Sequence, residues 1–455
     1  MTAKPMDGLA RLAPHPLARS TPKPVAIGQA LLQGTLVSAL VDPPPRGEAD
    51  PFWFRFGYAY AAPLYAGFLR FILDAVKGRG LKRLYFLSRD GHFLRQLYDE
   101  ATAGDPSYPE SRYLYASRRA LNFAAIEKLD PGTEDWLAEG IRLTVGQFFE
   151  RMGMDPAPFA EHLRRYGFEG PDHTVRTAFE YDALRRLYRE LEPAIVAAAR
   201  EERARYREYL EGELGPPEEP CVLVDVGWNA SLQDALHRIL ATGPSSRPIE
   251  GLYLGTYARA RERVVPGTSS HRSYLLTYGE PEATMRTVRA GVAHLEFLFA
   301  APETTFLRMG RDADGRLVPE FHHEHENAAD LAALAGIHAG VEAFCARLRG
   351  LEGWPGLSVD PRLVEAITLR WLVEPTREEA RRLAAIHYPD GWGGTFWLSR
   401  MADVGGFWDR FPRKQRVKEH FRQSHWRPGY YALLNPLQRW LLRWMHPTLR
   451  MDREL

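Results

Sequence analysis

The sequence predicts an α/β protein built around a parallel β-sheet, and three apolar runs support that class. Arg83–Leu87 and residues 221–226 each stop at a polar turn that leads into a helical pattern. Strand, turn and helix in this order form the repeating unit of parallel sheets. Residues 249–254 follow the second run at the spacing of a βαβ unit. We therefore predict an open, doubly wound, Rossmann-like sheet.

Length and composition agree with a globular protein of more than one unit. The 455 residues are 45% hydrophobic and 26% charged, which is ordinary globular usage with room for two or three compact units. The 59 Lys and Arg against 58 Asp and Glu give a net charge of +1. This balance argues against nucleic acid as the main partner. Cys221 and Cys345 are expected to be buried free thiols.

The ends of the chain carry no predicted targeting segment. Residues 1–50 are rich in Pro and in small or charged residues, which favours a flexible tail or a strap lying across the surface. The first thirty residues hold no sustained apolar segment, and we expect no stretch of about 18 apolar residues anywhere in the chain. The sequence thus predicts a cytoplasmic protein. Between residues 54 and 75 the apolar spacing is helical, and Pro63 is expected to separate two helices.

The remaining elements complete a four-part organisation. Residues 112–116 are a further strand candidate, and residues 306–321 resemble a hairpin that turns at Asp314-Gly315. Thr376 begins a capping box, the start signal of a helix. The predicted parts are a tail (1–50), a Rossmann-like core (51–121 and 215–325), a helical cap insertion (122–214) and a helical C-terminal region (326–455).

Polar side chains follow three of the predicted strands, where ligands of open parallel sheets bind. Asp90 and Asp225 are the candidate catalytic carboxylates and the candidate ligands of a Mg²⁺ ion. Backbone N–H groups at the two helix starts and the arginine side chains suit a phosphate or another anion. The candidate binding residues are Ser88, Arg89, Gly91, Ser117, Arg118, Arg119, Gly227, Trp228, Asn229 and Ser231.

Structural roles are the alternative for most of these residues. Asp90 could cap the helix that follows it, and Asn229 and Ser231 are both good helix N-caps. Arg118 and Arg119 could form ion pairs with the aspartates. Asp225 is the hardest to explain in this way, because a carboxylate that ends a fully apolar strand requires a partner.

Several stretches of the chain together resemble a known family. They are Gly57-Tyr58, Pro63-Leu64, Gly67-Phe68, residues 84–91, 115–121, 224–228, 231–233, 294–299 and 374–380. The family they resemble consists of bacterial haloacid-dehalogenase-like predicted hydrolases, encoded among cell-surface polysaccharide and glycosyltransferase genes. The resemblance covers roughly residues 55–390. It implies a haloacid-dehalogenase-like fold and a phosphohydrolase or transferase acting on a phosphorylated sugar, a nucleotide-sugar or a glycan–phosphate, with a glycosyltransferase as a partner.

The chain departs from that family's catalytic motif. Haloacid-dehalogenase enzymes place Asp-x-Asp after the first strand, as nucleophile and acid/base, with Mg²⁺ nearby. Here Ser88 occupies the nucleophile position. On a second alignment Ser88 is the phosphate-binding Ser/Thr and Asp225-x-Gly227 the metal-binding motif, and no Asp-x-Asp ends an earlier strand. Asp312-Ala313-Asp314 lies in the predicted hairpin turn. A non-catalytic module that binds a sugar-phosphate or a glycosyltransferase is therefore the alternative to an enzyme.

Three further features complete the set of candidates. The run from His322 to Glu326 is rich in imidazoles, but consecutive loop residues seldom converge on one metal ion. Glu296 lies within an apolar run and should be a buried, paired carboxylate that serves either the substrate or the fold. The helix predicted at 436–446 has an apolar stripe that must contact its own domain, a second copy or a membrane surface. The stripe consists of Leu437, Trp440, Leu441, Trp444 and Met445.

Overall fold

A five-stranded parallel sheet forms the centre of the protein, as the sequence predicts. The computed structural model describes residues 32–38, 50–138, 144–241, 247–276, 291–322, 327–350, 359–390, 397–404, 420–421 and 424–445. The strands are β1 (Arg83–Leu87), β2 (Glu110–Leu114), β3 (Cys221–Trp228), β4 (Ile249–Thr256) and β5 (Ser269–Leu276). Their spatial order is β2-β1-β3-β4-β5, and all four pairings are parallel.

The strand order places a topological switch point between β1 and β3. From β1 the chain moves outward to β2 and then returns to the other side of β1 to form β3. Tyr85 pairs with Leu223 and Phe86 with Val224. Connections leave these two neighbouring strands in opposite directions, so a crevice opens beyond their carboxyl ends.

Helices cover both faces of this sheet. In chain order they are α1 (Pro51–Phe56), α2 (Ala62–Val76), α3 (His92–Thr102), α4 (Arg118–Ala124), α5 (Pro131–Ala138), α6 (Val145–Arg151), α7 (Ala160–Arg165), α8 (Ala178–Glu213), α9 (Ser231–Ala241), α10 (Ala258–Glu262), α11 (Val292–Leu298), α12 (Ala328–Arg349), α13 (Pro361–Val373), α14 (Arg377–Ala384), α15 (Arg427–Leu433) and α16 (Pro436–Met445). Two antiparallel hairpins stand apart from the sheet: β6 (Phe306–Arg311) with β7 (Leu317–Phe321), and β8 (His387–Asp390) with β9 (Trp397–Arg400).

The central strand β3 is buried on both sides, as its apolar run predicts. Val222 and Val224 face one core, which α2, α3, α12 and α13 share. Cys221 and Leu223 face the second core, where α4, α9 and the end of α8 pack. Side chains alternate in this way because successive strand residues point to opposite faces.

The N-terminal helices differ from the prediction. A π-helical turn, Gly57–Ala61, joins α1 directly to α2. Pro63 therefore lies in the first turn of α2, where its missing N–H is tolerated, and does not separate two helices. Gly57 is required at the turn, because a Cβ there would overlap the carbonyl oxygen of Ile337. Residues 32–38 also form a helix, with Leu32 and Leu36 buried, inside the segment predicted to be a tail. The rest of 1–49 lies outside the described residues.

Among the described residues, two helical segments are long and apolar enough to cross a membrane by length and composition alone. They are Pro51–Val76 and Ala328–Arg349, and 72% and 44% of their apolar windows, respectively, are buried inside the protein. Buried core helices pass the same test, and the predicted compartment stays a prediction.

The predicted cap region is helical and has a core of its own. Phe148, Phe149, Leu184 and Leu187 belong to this core. Its longest helix, α8, begins at Ala178 behind a capping box of Thr177 and Glu180. The far end of α8 packs on the second face of the sheet, so α8 connects the cap to the core.

Candidate functional site

Asp90 and Asp225 lie together at the switch point. Asp225 is near the end of β3 and is 8% exposed. Asp90 lies in the short turn between β1 and α3, deep in the protein but partly open to the crevice. The charge of Asp225 raises the pKa of Asp90, an effect second only to that of burial. The Asp90 side chain also hydrogen-bonds to Asp225. The two candidate carboxyls therefore form one coupled pair.

Burial makes this pair hold a proton. Burial raises the pKa of Asp225 to about 6, against the lowering effects of Arg118, the Val226 N–H and Asp90. The pKa of Asp90 lies well above its ordinary value because of burial, and next because of the charges of Asp225 and Glu296. Two like charges in a low-dielectric site cannot both form cheaply. The hydrogen bond from Asp90 lowers the pKa of Asp225, so Asp90 is the carboxyl that donates a proton and Asp225 is the one that accepts it.

Arg118 and Glu296 complete the centre of the site. Nη2 of Arg118 lies 3.7 Å from Oε1 of Glu296, and the two side chains are 47% and 23% exposed. Arg118 lowers the pKa of both aspartates, whereas Glu296 raises both. Glu296, which projects from α11, is therefore a third carboxylate of this site and not only a partner within the fold.

The charge of Arg89 also lowers the pKa of Asp90. Nη1 of Arg89 donates a 2.9 Å hydrogen bond to Oγ1 of Thr305, a residue that follows α11 and precedes β6. We call Asp90, Asp225, Glu296, Arg89 and Arg118 the switch-point cluster.

The two candidate serines serve the backbone. The Ser88 hydroxyl donates to the Ala116 carbonyl at 2.8 Å and accepts from the Ala116 N–H at 2.9 Å, so it ties the end of β1 to the chain after β2. Ser117 is the N-cap of α4 and accepts from the Ala120 N–H. Both hydroxyls are thus engaged with the backbone, and phosphate binding by Ser88 and Ser117 stays a prediction.

Arg119 contacts the cap and not the Asp90–Asp225 pair. It is 2% exposed and forms a bidentate ion pair with Glu202 of α8, with one of the two contacts at 2.9 Å. It also donates to the carbonyls of Arg151 and Leu307. Arg119 thus joins the core, the cap and the β6–β7 hairpin, and its predicted role in anion binding stays a prediction.

The turn after β3 supports the site with its backbone. Gly227 has φ +100°, and a Cβ there would lie 2.8 Å from the Gly255 carbonyl oxygen. Trp228 and Ala230 also have positive φ, 68° and 52°, a conformation that costs energy for residues with side chains and concentrates at functional sites. Asn229 accepts a 2.7 Å hydrogen bond from Arg263 through its carbonyl.

Trp228 turns inward, which differs from the expectation of a ligand contact. It is 3% exposed and stacks on Tyr257 with ring centroids 5.5 Å apart. Ser231 is the first residue of α9. Gly91 donates its N–H to the Leu87 carbonyl, and His92 donates its N–H to the Arg89 carbonyl. These two N–H groups are therefore bonded within the turn, whereas N–H groups at this helix start were expected to bind an anion.

Two sets of residues near the site were not predicted from the sequence. Arg263 directly follows α10, and its pKa is lowered chiefly by burial. Its side chain donates to the Asn229 carbonyl in the turn after β3. Tyr113 donates to Glu303, and His92 Nδ1 lies 3.5 Å from the same carboxylate. The charge of Asp90 also raises the pKa of Tyr113, after burial and Glu303. None of these residues ends a strand at a turn, so no pattern marked them.

The metal candidates divide between the switch-point cluster and the histidine run. Among the described residues, no three His, Cys, Asp or Glu side chains are grouped so that they could hold an ion. Asp90 and Asp225 provide two oxygen donors, which suffices for a Mg²⁺ ion that takes its other ligands from water and phosphate. His322 lies 3.4 Å from Glu150, and residues 323–326 of the predicted run lie outside the described residues.

Comparison of the whole chain with protein-family models and with curated proteins finds no match. The function of the protein is therefore inferred from the geometry of the switch-point cluster.

Proposed function

We propose that the protein is an enzyme of bacterial surface-polysaccharide metabolism that acts on a phosphorylated sugar, a nucleotide-sugar or a glycan–phosphate. The observation that carries the proposal is the buried pair Asp90–Asp225 at the switch point, with both pKa values raised. Perturbed carboxyls in a crevice are typical of catalytic sites. The substrate class comes from the resemblance to the haloacid-dehalogenase-like family.

The pair can act as general acid and general base in one displacement. Asp225 takes a proton from the attacking water or acceptor hydroxyl as its oxygen bonds to phosphorus. Asp90 gives its proton to the leaving oxygen as the bond from phosphorus to that oxygen breaks. The pair holds one proton before and after the reaction. Transfer along the hydrogen bond between Asp90 and Asp225 then restores the starting state.

Arg118 and Arg89 are the anion-binding side chains in this proposal. Guanidinium groups bind phosphate oxygens in a bidentate manner. Arg118 is the better placed, since nearly half of its side chain is exposed beside the pair. Glu296 holds Arg118 before substrate arrives, and a phosphate group would replace Glu296 as its partner.

Charge balance supports the proposal of a divalent cation at Asp90 and Asp225. With one proton on the pair, the three carboxyls of the switch-point cluster carry two negative charges, which Arg89 and Arg118 offset. A phosphate dianion would leave two negative charges uncompensated at a site of low dielectric. A Mg²⁺ ion bound by the two aspartates would displace the shared proton, supply positive charge in its place and polarise the phosphoryl oxygens. The metal-bound form and the proton-sharing form of the pair are therefore alternatives.

The alternative is a non-catalytic module that binds a sugar-phosphate or a glycosyltransferase partner. One observation favours it: Ser88, at the nucleophile position of the resembled family, is engaged twice with the backbone of Ala116. A covalent intermediate on residue 88 is therefore not part of our proposal. The enzyme reading requires direct attack by water or an acceptor.

Turnover assays distinguish the two readings. Purified protein is incubated with phosphosugars and nucleotide-sugars, with and without Mg²⁺, and free phosphate or nucleotide is measured. We expect turnover that Asp225→Asn reduces by at least 10²-fold, the usual contribution of a general base. Asp314→Asn, in the exposed turn between β6 and β7, is the matched control. Ligand-induced thermal stabilisation with no turnover of any substrate would favour the binding module instead.

A further inference from the structure

The last described helix, α16, carries exposed apolar side chains. Leu437 is 60% exposed and Trp440 is 59% exposed. Residues three apart lie on the same side of a helix, so these two side chains form one apolar surface, which we call the α16 face. Contiguous exposed apolar surface marks sites of contact with another protein or with a membrane.

Polar contacts fix the position of α16. Arg439 donates to the carbonyls of Tyr431, Ala432 and Leu434 at 3.1, 2.7 and 3.1 Å. Asn435 and Gln438 exchange hydrogen bonds at the start of the helix. The helix is thus held to the end of α15 through Arg439. Its order does not depend on covering Leu437 and Trp440.

The sequence around α16 is strongly basic, in contrast to the rest of the chain. Residues 405–450 contain ten Lys and Arg but only two acidic residues, Asp409 and Glu419. This excess of eight positive charges lies in a protein with a net charge of +1. The other residues together are therefore net negative by seven. Such asymmetry predicts an anionic partner for the C-terminal region.

We propose that the α16 face attaches the protein to the surface of an anionic phospholipid bilayer. An interfacial helix combines an apolar side that enters the headgroup region with cations that meet the lipid phosphates. Trp and Leu on α16 provide the first requirement, and the basic segment provides the second. A polyanion such as nucleic acid would satisfy the charge but would leave Leu437 and Trp440 in water.

A second copy of the chain suits the α16 face less well. A twofold dimer places the same surface of both subunits in contact. Each copy would bring the same basic C-terminal sequence to the dimer, and like charges oppose association.

Vesicle sedimentation with the full-length protein tests the proposal. We expect binding to vesicles that contain phosphatidylglycerol, weakening as salt is raised, and little binding to pure phosphatidylcholine. The double variant Leu437→Ala/Trp440→Ala should bind about tenfold more weakly. It removes most of the apolar surface that the α16 face would transfer from water into the headgroup region. Phe179→Ala, which removes a 75% exposed aromatic ring from α8, should bind like the wild type.

Charge variants test the second requirement. Arg443→Gln and Arg450→Gln should each weaken binding to anionic vesicles about fivefold. Arg316→Gln, at a 79% exposed side chain in the β6–β7 turn, is the control. Unchanged thermal unfolding shows that the variants are folded.

Three results would overturn the proposal. One is failure of the wild type to sediment with anionic vesicles. A second is a dimer, detected by light scattering, that Leu437→Ala/Trp440→Ala dissociates, which would assign the α16 face to a second copy. The third is a preference for nucleic acid over anionic vesicles at equal salt.

Discussion

Replacement of Asp225 by Asn should stabilise the folded protein at neutral pH while it removes function. Folding raises the pKa of Asp225 from 3.8 to about 6. This shift of about two pKa units corresponds to about 3 kcal/mol of unfavourable free energy when the group is ionised in the folded state. Asn keeps the size of the side chain and cannot ionise, so it removes that penalty.

The pH dependence follows from the direction of the shift. Below pH 3.8 the carboxyl is protonated in both the folded and the unfolded state, and Asp225 costs nothing. Between pH 3.8 and about 6 only the unfolded state releases the proton, so wild-type stability falls as pH rises. Above about pH 6 the full penalty applies. The gain from Asp225→Asn should therefore be absent near pH 4 and approach about 3 kcal/mol at pH 7.5.

Urea denaturation in the presence of EDTA measures this difference, since a bound cation would mask it. The free energy of unfolding of the variant minus that of the wild type is compared at pH 4, 5, 6 and 7.5. Asp314→Asn, with a 72% exposed side chain, should give a difference that does not vary with pH. A difference for Asp225→Asn that stays flat, or becomes destabilising as pH rises, would refute the buried, coupled pair.

Three more predictions concern the neighbouring residues. Arg118→Ala should weaken phosphate-ligand binding by about 10- to 150-fold, because a hydrogen bond to a charged group contributes about 1.5–3 kcal/mol. Calorimetry measures the affinity, and an unchanged value would contradict the anion site. Glu202→Gln should cost about 3–5 kcal/mol of stability, because Arg119 stays buried without its partner, whereas Glu208→Gln, whose Arg311 pair is about half exposed, should cost under about 1 kcal/mol. Equal losses in denaturation would disprove the structural role of Arg119. Turnover should increase through about pH 6 as Asp225 ionises, and a rate independent of pH from 5 to 7 would exclude Asp225 as the base.

The strands that the sequence predicts are those with continuous apolar runs. Residues 84–87 and 221–224 are buried on both faces of the sheet, and for that reason these stretches are apolar. Ser269–Leu276 was not predicted, because this edge strand begins Ser-Ser-His-Arg and carries no apolar run. An edge strand pairs on one side only, and its composition is correspondingly less constrained.

The site was predicted by position but not by orientation. Arg118 and Arg119 are consecutive at the start of α4, and a helix turns by about 100° per residue. One guanidinium therefore faces the switch point and the other faces Glu202, a choice that depends on how α4 packs. Glu296 joined the cluster through tertiary packing of α11, about seventy residues after Asp225, which local patterns do not record.

A crystal structure of the protein with Mg²⁺ and inorganic phosphate would show directly whether the switch-point cluster binds both. We predict the phosphate within hydrogen-bonding distance of Arg118, with Glu296 released from Arg118, and the cation held by Asp90 and Asp225. The cavity of about 270 Å³ between the cap and the β6–β7 hairpin, lined in part by Arg119 and Arg308, is the competing location. Phosphate bound there, with the Asp90–Asp225 pair unchanged, would contradict the account.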